Sequence, residues 1–553
     1  MKKKTNKSSD INSITKQNKL ESIVSNIICI MLFVIFGYIS IIGFLQTSII
    51  DPENYASEII LYQNDNIAIN ILFVVLFTIF TFKMQKHFDF FSKINIRYLE
   101  IGLIVYTVVL GLVWIFSVQS IPAADSYNIF ETATQAAEGN YNSMYNNTDF
   151  YNNTFYNGYS YYNFYPFQLG FVFISEIIYR IFGTASAMPL EIINVSCLAV
   201  AYFVIAKITR LIFNKRSIEF IAIFMLAGCF QPIIFCSFAY GNIIGMSCAI
   251  CASYFLLKYF KTSKMLLLLP CAILLIIATL AKYNNMIYLI AFVIVLIVHT
   301  VKAKKWQSIA FALALCVATV GTSNLIIMSY ESRAKAEFND GISQVLYLDM
   351  GLNESHMAPG WFNMTALNTY INSGLDNELA HKIATNDIKS RLDTMGNDFG
   401  YTIEFFAKKI ISQWNEPTFE SIWVSKVKQH YEEINSIGKS MYGGGLGQFF
   451  EKYFNFYVPI LYLLFAIGIY ILFLRKKVNI EIALLPLVIL GAFGYHVLFE
   501  GKSQYILTYI ILFIPFASYG LNCVVNGKYT KIKSVVKHFK TNHNITEENI
   551  SKN

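Results

Sequence analysis

Phe167-Gln168-Leu169-Gly170-Phe171-Val172-Phe173-Ile174-Ser175-Glu176-Ile177-Ile178-Tyr179-Arg180-Ile181-Phe182 is the stretch on which the topology of the whole chain turns. It is apolar enough to be taken for a membrane span, yet it is short and carries Glu176 in its middle. If it crosses a bilayer, then Arg210, Lys215, Arg216, Lys261, Lys264, Lys302, Lys304 and Lys305 all fall outside. If it does not, every one of them is inside, as the positive-inside bias requires. The segment 167–182 therefore reads as a juxtamembrane or re-entrant helix of the outer leaflet.

Working outward from it, apolar runs of about 20 residues recur, each long enough for a ~30 Å hydrocarbon core. They lie near 24–50, 66–83, 99–118, 189–213, 217–236, 240–259, 265–281, 284–300, 307–330, 453–474, 480–498 and 503–524. The first is long and is followed by no small-residue cleavage site, so it reads as a retained helix. Before it, residues 1–23 carry Lys2, Lys3, Lys4, Lys7, Lys16 and Lys19, which marks a cytoplasmic tail. Loop 51–65 has Asp51, Glu53, Glu58 and Asp65 and no basic residue, which puts it outside. The next loop, with Lys83, Lys86, Lys93 and Arg97, belongs inside. Both termini are then cytoplasmic. The division expected is a transmembrane region over 24–330, an extracytoplasmic domain over 331–452, C-terminal spans over 453–524 and a basic cytoplasmic tail over 525–553.

The composition agrees. Hydrophobic residues make up 55% and charged residues 14%, against roughly 25% charged in a soluble domain. The net charge of +8 is accounted for by basic residues at one set of span ends, so it calls for no nucleic-acid partner. The nine cysteines fall in or beside apolar segments, which speaks against a disulfide framework outside the membrane. No CxxC or His-rich cluster points to zinc.

Two hydrophilic regions stand out on the outer side. The loop 119–166 has no Lys or Arg and ends in the Asn/Tyr-rich tract Asn140 to Tyr165, which includes the sequon Asn146-Asn147-Thr148. Such a tract is either a low-complexity loop or a surface on which Tyr faces stack sugars and Asn amides hydrogen-bond them. The region 331–452 holds Trp361, Trp414 and Trp423 and the turn Gly443-Gly444-Gly445. No inverted repeat of the transporter kind is visible. The cytoplasmic loops are short, with no Walker motif and no nucleotide-binding glycine loop. Any substrate must come from the membrane or from outside.

Four places carry candidate chemistry. Asp125 follows Pro122-Ala123-Ala124 and opens a stretch to Gly139 that reads as a helix, with Asp125 at the N-cap and Tyr127, Phe130, Ala133, Thr134 and Ala137 on one face. Either Asp125 is only a cap, or it is a carboxylate at the membrane surface able to take a proton from a hydroxyl. Glu131 and Glu138 on the same helix are weaker candidates. Lys282, in Ala281-Lys282-Tyr283-Asn284-Asn285, breaks the charge bias of an outer turn. It is either a snorkelling lysine or a cation for a lipid phosphate, with Asn284 and Asn285 adding amide donors. The hairpin His496-Val497-Leu498-Phe499-Glu500-Gly501-Lys502-Ser503-Gln504-Tyr505 gathers ionisable groups at membrane depth, a functional signal by default. There Glu500 and Lys502 pair with each other, or Lys502 holds a phosphate. Phe238-Ala239-Tyr240-Gly241-Asn242 is a fourth, in which Gly-Asn is also ordinary turn chemistry.

An acidic residue opening the first large outer loop, the aromatic-Pro helix Tyr165-Pro166-Phe167-Gln168-Leu169-Gly170, and a late soluble segment together resemble the GT-C superfamily of membrane glycosyltransferases. These are relatives of the protein O-mannosyltransferases and the lipid A aminoarabinose transferase. Tyr240-Gly241-Asn242, Gln413-Trp414-Asn415-Glu416-Pro417-Thr418 and Glu500-Gly501-Lys502-Ser503-Gln504-Tyr505 look like strings of bacterial members. The likeness runs over most of 99–520, and the first two spans are extra to the family core. The resemblance implies an all-α polytopic fold, a GT-C-like bundle of about twelve transmembrane helices with juxtamembrane helices and a small extracytoplasmic domain.

It also implies a reaction, in which a sugar leaves a polyprenyl-phosphate carrier for a hydroxyl on the outer face. Asp125 matches the general base. Lys282 and Lys502 match the cations that steady the leaving phosphate, whose charge develops in the transition state. Glu500, Gln504, Tyr505, Tyr240, Asn242, Glu131 and Asn285 are the further residues expected around the substrates. Ser126 stands where the family has a second acid, which leaves a divalent metal open; no other cofactor is called for. The expected acceptor is a cell-envelope polymer, such as a teichoic acid or wall polysaccharide, or a surface protein. A transporter or flippase of lipid-linked sugars is the alternative, and an accessory membrane protein a third; the first predicts charges near mid-bilayer, whereas here they gather at the rim.

Overall fold

The computed structural model describes residues 19–91, 94–144, 156–427 and 434–526. The basic residues up to Lys16, Lys93, the sequon and the tail from 528 lie outside them. Among the described residues eight helices are long and apolar enough to cross a bilayer, including Ile96–Val118, Met188–Phe213, Asn242–Thr262, Tyr283–Ala303 and Gln307–Ala334. A ninth is a bent pair, Arg216–Ala227 and Gln231–Ser237, and three shorter apolar helices (Ile67–Lys83, Met265–Ala281, Leu484–Leu498) fill the other expected positions. The chain is an all-α polytopic membrane protein, relieved by one two-stranded hairpin.

That hairpin corrects the first span. The helix Lys19–Gly43 stops well before residue 50, and Gln46–Ile50 pairs antiparallel with Ile60–Asn64, Gln46 opposite Asn64 and Ile50 opposite Ile60. The apolar run continues through β-branched Thr47, Ile49 and Ile50, which suit a strand. Ser48 donates its backbone N–H to the carbonyl of Asn415 at 3.3 Å, docking the hairpin on the segment 413–418. At its tip Glu58 adopts φ 54°. A second correction concerns the region 331–452. Its helices (Gln344–Leu352, Thr365–Asn372, Asn377–Asn397, Phe399–Trp414, Ser421–Val427 and Ser436–Gly443) are followed by a 30-residue helix, Gly445–Leu474, so the first of the three C-terminal spans begins earlier than the expected 453.

The bend of 46° between Ala227 and Gln231 has a sequence cause in Gly228 and Pro232. Breaking a helix inside an apolar layer frees carbonyls that must be satisfied by protein. Tyrosine hydroxyls from neighbouring helices do so: Tyr106 donates to Ala227 O, Tyr453 to Gly228 O and Tyr457 to Met225 O, each at 2.8 Å, and Tyr202 to Cys229 O. The bent segment then runs into the turn that carries Tyr240.

Helix Leu169–Phe182 has 14 residues, about 21 Å at ~1.5 Å per residue, too short for the ~30 Å core. It packs against helix Asp125–Ala137. Glu176 is not adrift in lipid: it bonds Arg180 at 2.8 Å, Arg333 at 3.2 Å and the Tyr330 hydroxyl at 2.5 Å. At the far ends of the spans, Lys302 pairs with Glu21 at 2.9 Å and Glu481 at 3.2 Å, and Lys207 pairs with Glu100.

Candidate active site

Helix Asp125–Ala137 begins one residue earlier than expected. Ala124 holds the cap position with φ 50° and offers no side chain to cap with, while the Ser126 hydroxyl donates to Ala123 O at 2.7 Å. Asp125 is thus not a cap; its carboxylate is exposed and makes no hydrogen bond or ion pair among the described residues. The packed face is also rotated from the expected one. Ser126, Ile129, Ala133 and Ala136 are buried, and Thr134 turns back to the carbonyl of Phe130 at 3.0 Å. Small residues let the helix approach Leu169–Phe182 closely, and Phe130 packs edge-on against Tyr179 of that helix with ring centroids 5.5 Å apart.

Lys282 ends helix Leu268–Ala281, and the Asn285 amide bridges that end by donating to Ala278 O at 2.9 Å and Lys282 O at 3.1 Å. The lysine ammonium lies 4.1 Å from the centre of the Tyr240 ring and 5.7 Å from that of Tyr505. Tyr240 reaches this place because Gly241 follows it: a Cβ there would run into the carbonyl of Ala281. Gln168 fixes the ring by donating to the Tyr240 hydroxyl. Among the described residues no carboxylate is in contact with the ammonium. Burial pulls it down to about 8, against the opposing fields of Asp125 and Glu500.

The loop 499–502 is stapled from behind. Gly501 N–H donates to Gly360 O at 3.2 Å, Glu500 N–H to Tyr347 O at 3.0 Å, and Gln413 Nε2 to His496 O at 3.0 Å. Lys409, fully buried, donates to Phe499 O at 2.9 Å and to Gly351 O. Glu500 accepts from the Tyr505 hydroxyl at 3.4 Å, and burial raises its carboxyl to about 6. Lys502 does not pair with Glu500 as one reading had it. It forms an ion pair with Glu58, brought from the first hairpin. Burial acts to lower Lys502, but Glu58, Glu420 and Glu500 outweigh it and hold the ammonium above its ordinary range.

These groups face one cavity of ≈ 510 Å³, within the ~300–1,000 Å³ usual for small-molecule sites. Asp125, Lys282, Glu500, Lys502, Gln504, Tyr505 and Tyr240 line it together. Three expected residues do not. Asn285 is the staple described above, Asn242 is buried at the start of its helix, and Glu131 lies beyond the cavity with Gln135 at 3.2 Å. Rings of Tyr165, Tyr347, Trp423 and Tyr495 complete the wall, with Glu58 and Asn128. None of these six was singled out from the sequence; Glu58 is one acid in an acidic loop, and Tyr165 was quoted only as part of a motif. The string Gln413–Thr418 turns out to be a junction: Asn415 donates to Gln46 O at 2.7 Å, and Glu416 accepts from Glu420 N–H at 2.7 Å.

Because Asp125 and Tyr240 share a cavity, an even number of crossings separates them. With Met188–Phe213 and the bent pair counted as two crossings, that condition is met without a crossing by Leu169–Phe182. Among the described residues no three of His, Cys, Asp and Glu converge as metal ligands do.

Residues 168–327 match the family model described as dolichyl-phosphate-mannose-protein mannosyltransferase. The matched segment includes Tyr240 and Lys282 and bears out the GT-C resemblance. Among solved structures, the chain is similar to the archaeal oligosaccharyltransferase AglB from Archaeoglobus fulgidus, in complex with an inhibitory peptide and a dolichol-phosphate. That similarity has 14% identity, 79% of this chain and 51% of that chain covered, and a TM-score of 0.41; this chain spans about half the length of AglB. It is also similar to ArnT from Cupriavidus metallidurans bound to undecaprenyl phosphate, with 11% identity, 76% and 77% covered, and a TM-score of 0.32. No curated protein matches the sequence.

Proposed function

We propose that this protein is a glycosyltransferase that moves a sugar from a polyprenyl-phosphate carrier to a hydroxyl of a cell-envelope polymer or surface protein, on the outer face of the membrane. One observation carries the reading: Lys282, an ammonium with no carboxylate in contact, and Asp125, a carboxylate with no hydrogen bond or ion pair among the described residues, open into the same aromatic-walled cavity. The basic span ends support the outer placement. Lys207, Arg210, Lys261 and Lys302 lie at the ends remote from the cavity.

In this reading the Asp125 carboxylate takes the proton of the acceptor hydroxyl as its oxygen bonds to the anomeric carbon. The bond from that carbon to the phosphate oxygen breaks, and the electron pair leaves with the polyprenyl phosphate. Lys282 faces the charge that grows on that leaving oxygen. Lys502 is the second cation, but a phosphate reaches it only in competition with Glu58. Tyr165 and Tyr505 offer faces on which a sugar ring stacks, and the lipid tail stays in the bilayer.

The test needs no knowledge of the sugar. Undecaprenyl phosphate and dolichol phosphate should each raise the thermal midpoint of the purified protein, whereas the corresponding polyprenols should not. Equal response to phosphate and alcohol would overturn the reading.

A further inference from the structure

Resting on the reading above, we propose that Asn128 is a substrate-binding residue whose side-chain amide donates a hydrogen bond to a sugar hydroxyl held beside Asp125. Asn128 stands three residues after Asp125 on the helix Asp125–Ala137, and side chains at that spacing share a face. It lines the cavity and is only 2% exposed. Its Nδ2 is buried and has no hydrogen-bond partner.

That last fact sets it apart. Several other buried carboxamides donate from their nitrogens. Asn194 donates to Cys236 O and Phe238 O at 3.2 and 3.0 Å, Asn285 to two carbonyls, Gln231 to Pro417 O at 3.1 Å and Gln413 to His496 O. Among the described residues, Asn128 is the one carboxamide whose nitrogen is both buried and unsatisfied. Folding gains nothing from an amide left in this state, since a leucine of similar shape would bury more apolar surface with no lost donor bond. Buried polar groups are as a rule paired, and among the buried unpaired side-chain atoms of the described residues Asn128 Nδ2 is the one whose residue lines the cavity. The missing partner here is an acceptor oxygen inside the cavity, one helical turn from the carboxylate that takes the proton. A sugar hydroxyl meets that requirement, whether it belongs to the transferred ring or to the acceptor.

The structural alternative and the binding role predict opposite results for Asn128→Leu. If Asn128 binds substrate, the variant keeps or raises the thermal midpoint, and it binds undecaprenyl phosphate, which has no sugar, within about twofold of wild type. Transfer from a panel of undecaprenyl-phosphate hexoses and pentoses then falls about tenfold, the size of one net hydrogen bond. The loss appears in the KM of the sugar lipid if the donor ring is held, and in that of the acceptor if the acceptor is. Asn128→Asp, which keeps the shape and removes the donor, should fall similarly. A lower midpoint in Asn128→Leu, or transfer equal to wild type in both variants, overturns this inference while leaving the proposed function standing. A wild type that discriminates no phosphate lipid from its alcohol overturns both.

Discussion

Lys502 and Glu58, 444 residues apart in the chain, meet as an ion pair in the cavity wall. Their side chains are 11% and 9% exposed, so the pair is largely out of water, and removing one partner leaves an uncompensated charge. Glu58→Ala should lower stability by about 3 kcal/mol at most, because Glu420 and Glu500 still face the lysine. The exchange Glu58→Lys with Lys502→Glu should recover part of that loss. Thermal unfolding of the purified single and double variants measures the coupling, and strictly additive losses would mean that the pair contributes nothing.

Lys282 and Asp125 are expected to separate binding from chemistry. Lys282→Met should weaken binding of undecaprenyl phosphate about 10- to 100-fold, the loss of a charge-assisted contact, while the fold is kept. Asp125→Asn should bind the same lipid as wild type and lose transfer by about 100-fold or more, as expected for a general base. Ligand-induced shifts in unfolding temperature read the first effect, and label transfer to membrane acceptors reads the second. If Asp125→Asn turned over normally, the base would have to be sought elsewhere in the cavity.

The pH dependence follows from the sign of the shift on Lys282. Burial lowers its pKa to about 8, so the cation is present below that pH and is lost above it. kcat/KM for the sugar lipid should therefore fall above pH 8, by about tenfold per unit. A bound phosphate holds the proton on the lysine, which moves the corresponding limb of kcat to higher pH. Lys282→Arg, whose guanidinium does not titrate in this range, should abolish the limb. A wild-type profile that stays flat from pH 7 to about 9.5 would contradict the assignment of Lys282 as the phosphate cation.

Gly241 is expected to tolerate no side chain. The Cβ of Gly241→Ala would meet the Ala281 carbonyl, which is backbone and cannot turn aside. The two turns would separate, and Tyr240 would leave its position under Lys282. The variant should bind undecaprenyl phosphate more weakly than wild type, in the same assay used for Lys282→Met. Wild-type binding would show that the approach of the two turns is incidental.

Much of this architecture is legible in the amino-acid sequence, for identifiable reasons. Span helices are written as long apolar runs, and the expectation that 167–182 does not cross rests on the positions of Lys and Arg. Asp125, Lys282, Glu500 and Lys502 stand out because charge at an outer rim is costly and rare. Glu58 does not, since one acid among several in an acidic loop has no distinguishing mark and its partner is far off in sequence. Asn128 is equally mute, because whether an amide is satisfied is a property of packing. The burial of Ser126 and Ala136 in place of Tyr127 and Thr134 was hidden for a related reason: hydrophobicity marks what prefers to be buried, while close helix approach selects for what is small.

The kink at Gly228 has a mechanical side. Hydroxyls of Tyr453 and Tyr457, both on helix Gly445–Leu474, hold the carbonyls at the bend, and the segment beyond it delivers Tyr240 to the underside of Lys282. The ring that seats the cavity's cation is thus set from within the apolar layer, like the far end of a lever whose fulcrum lies among lipids. A tilt of Gly445–Leu474, as a thicker or thinner bilayer would impose, displaces the fulcrum and with it the seat of the lysine.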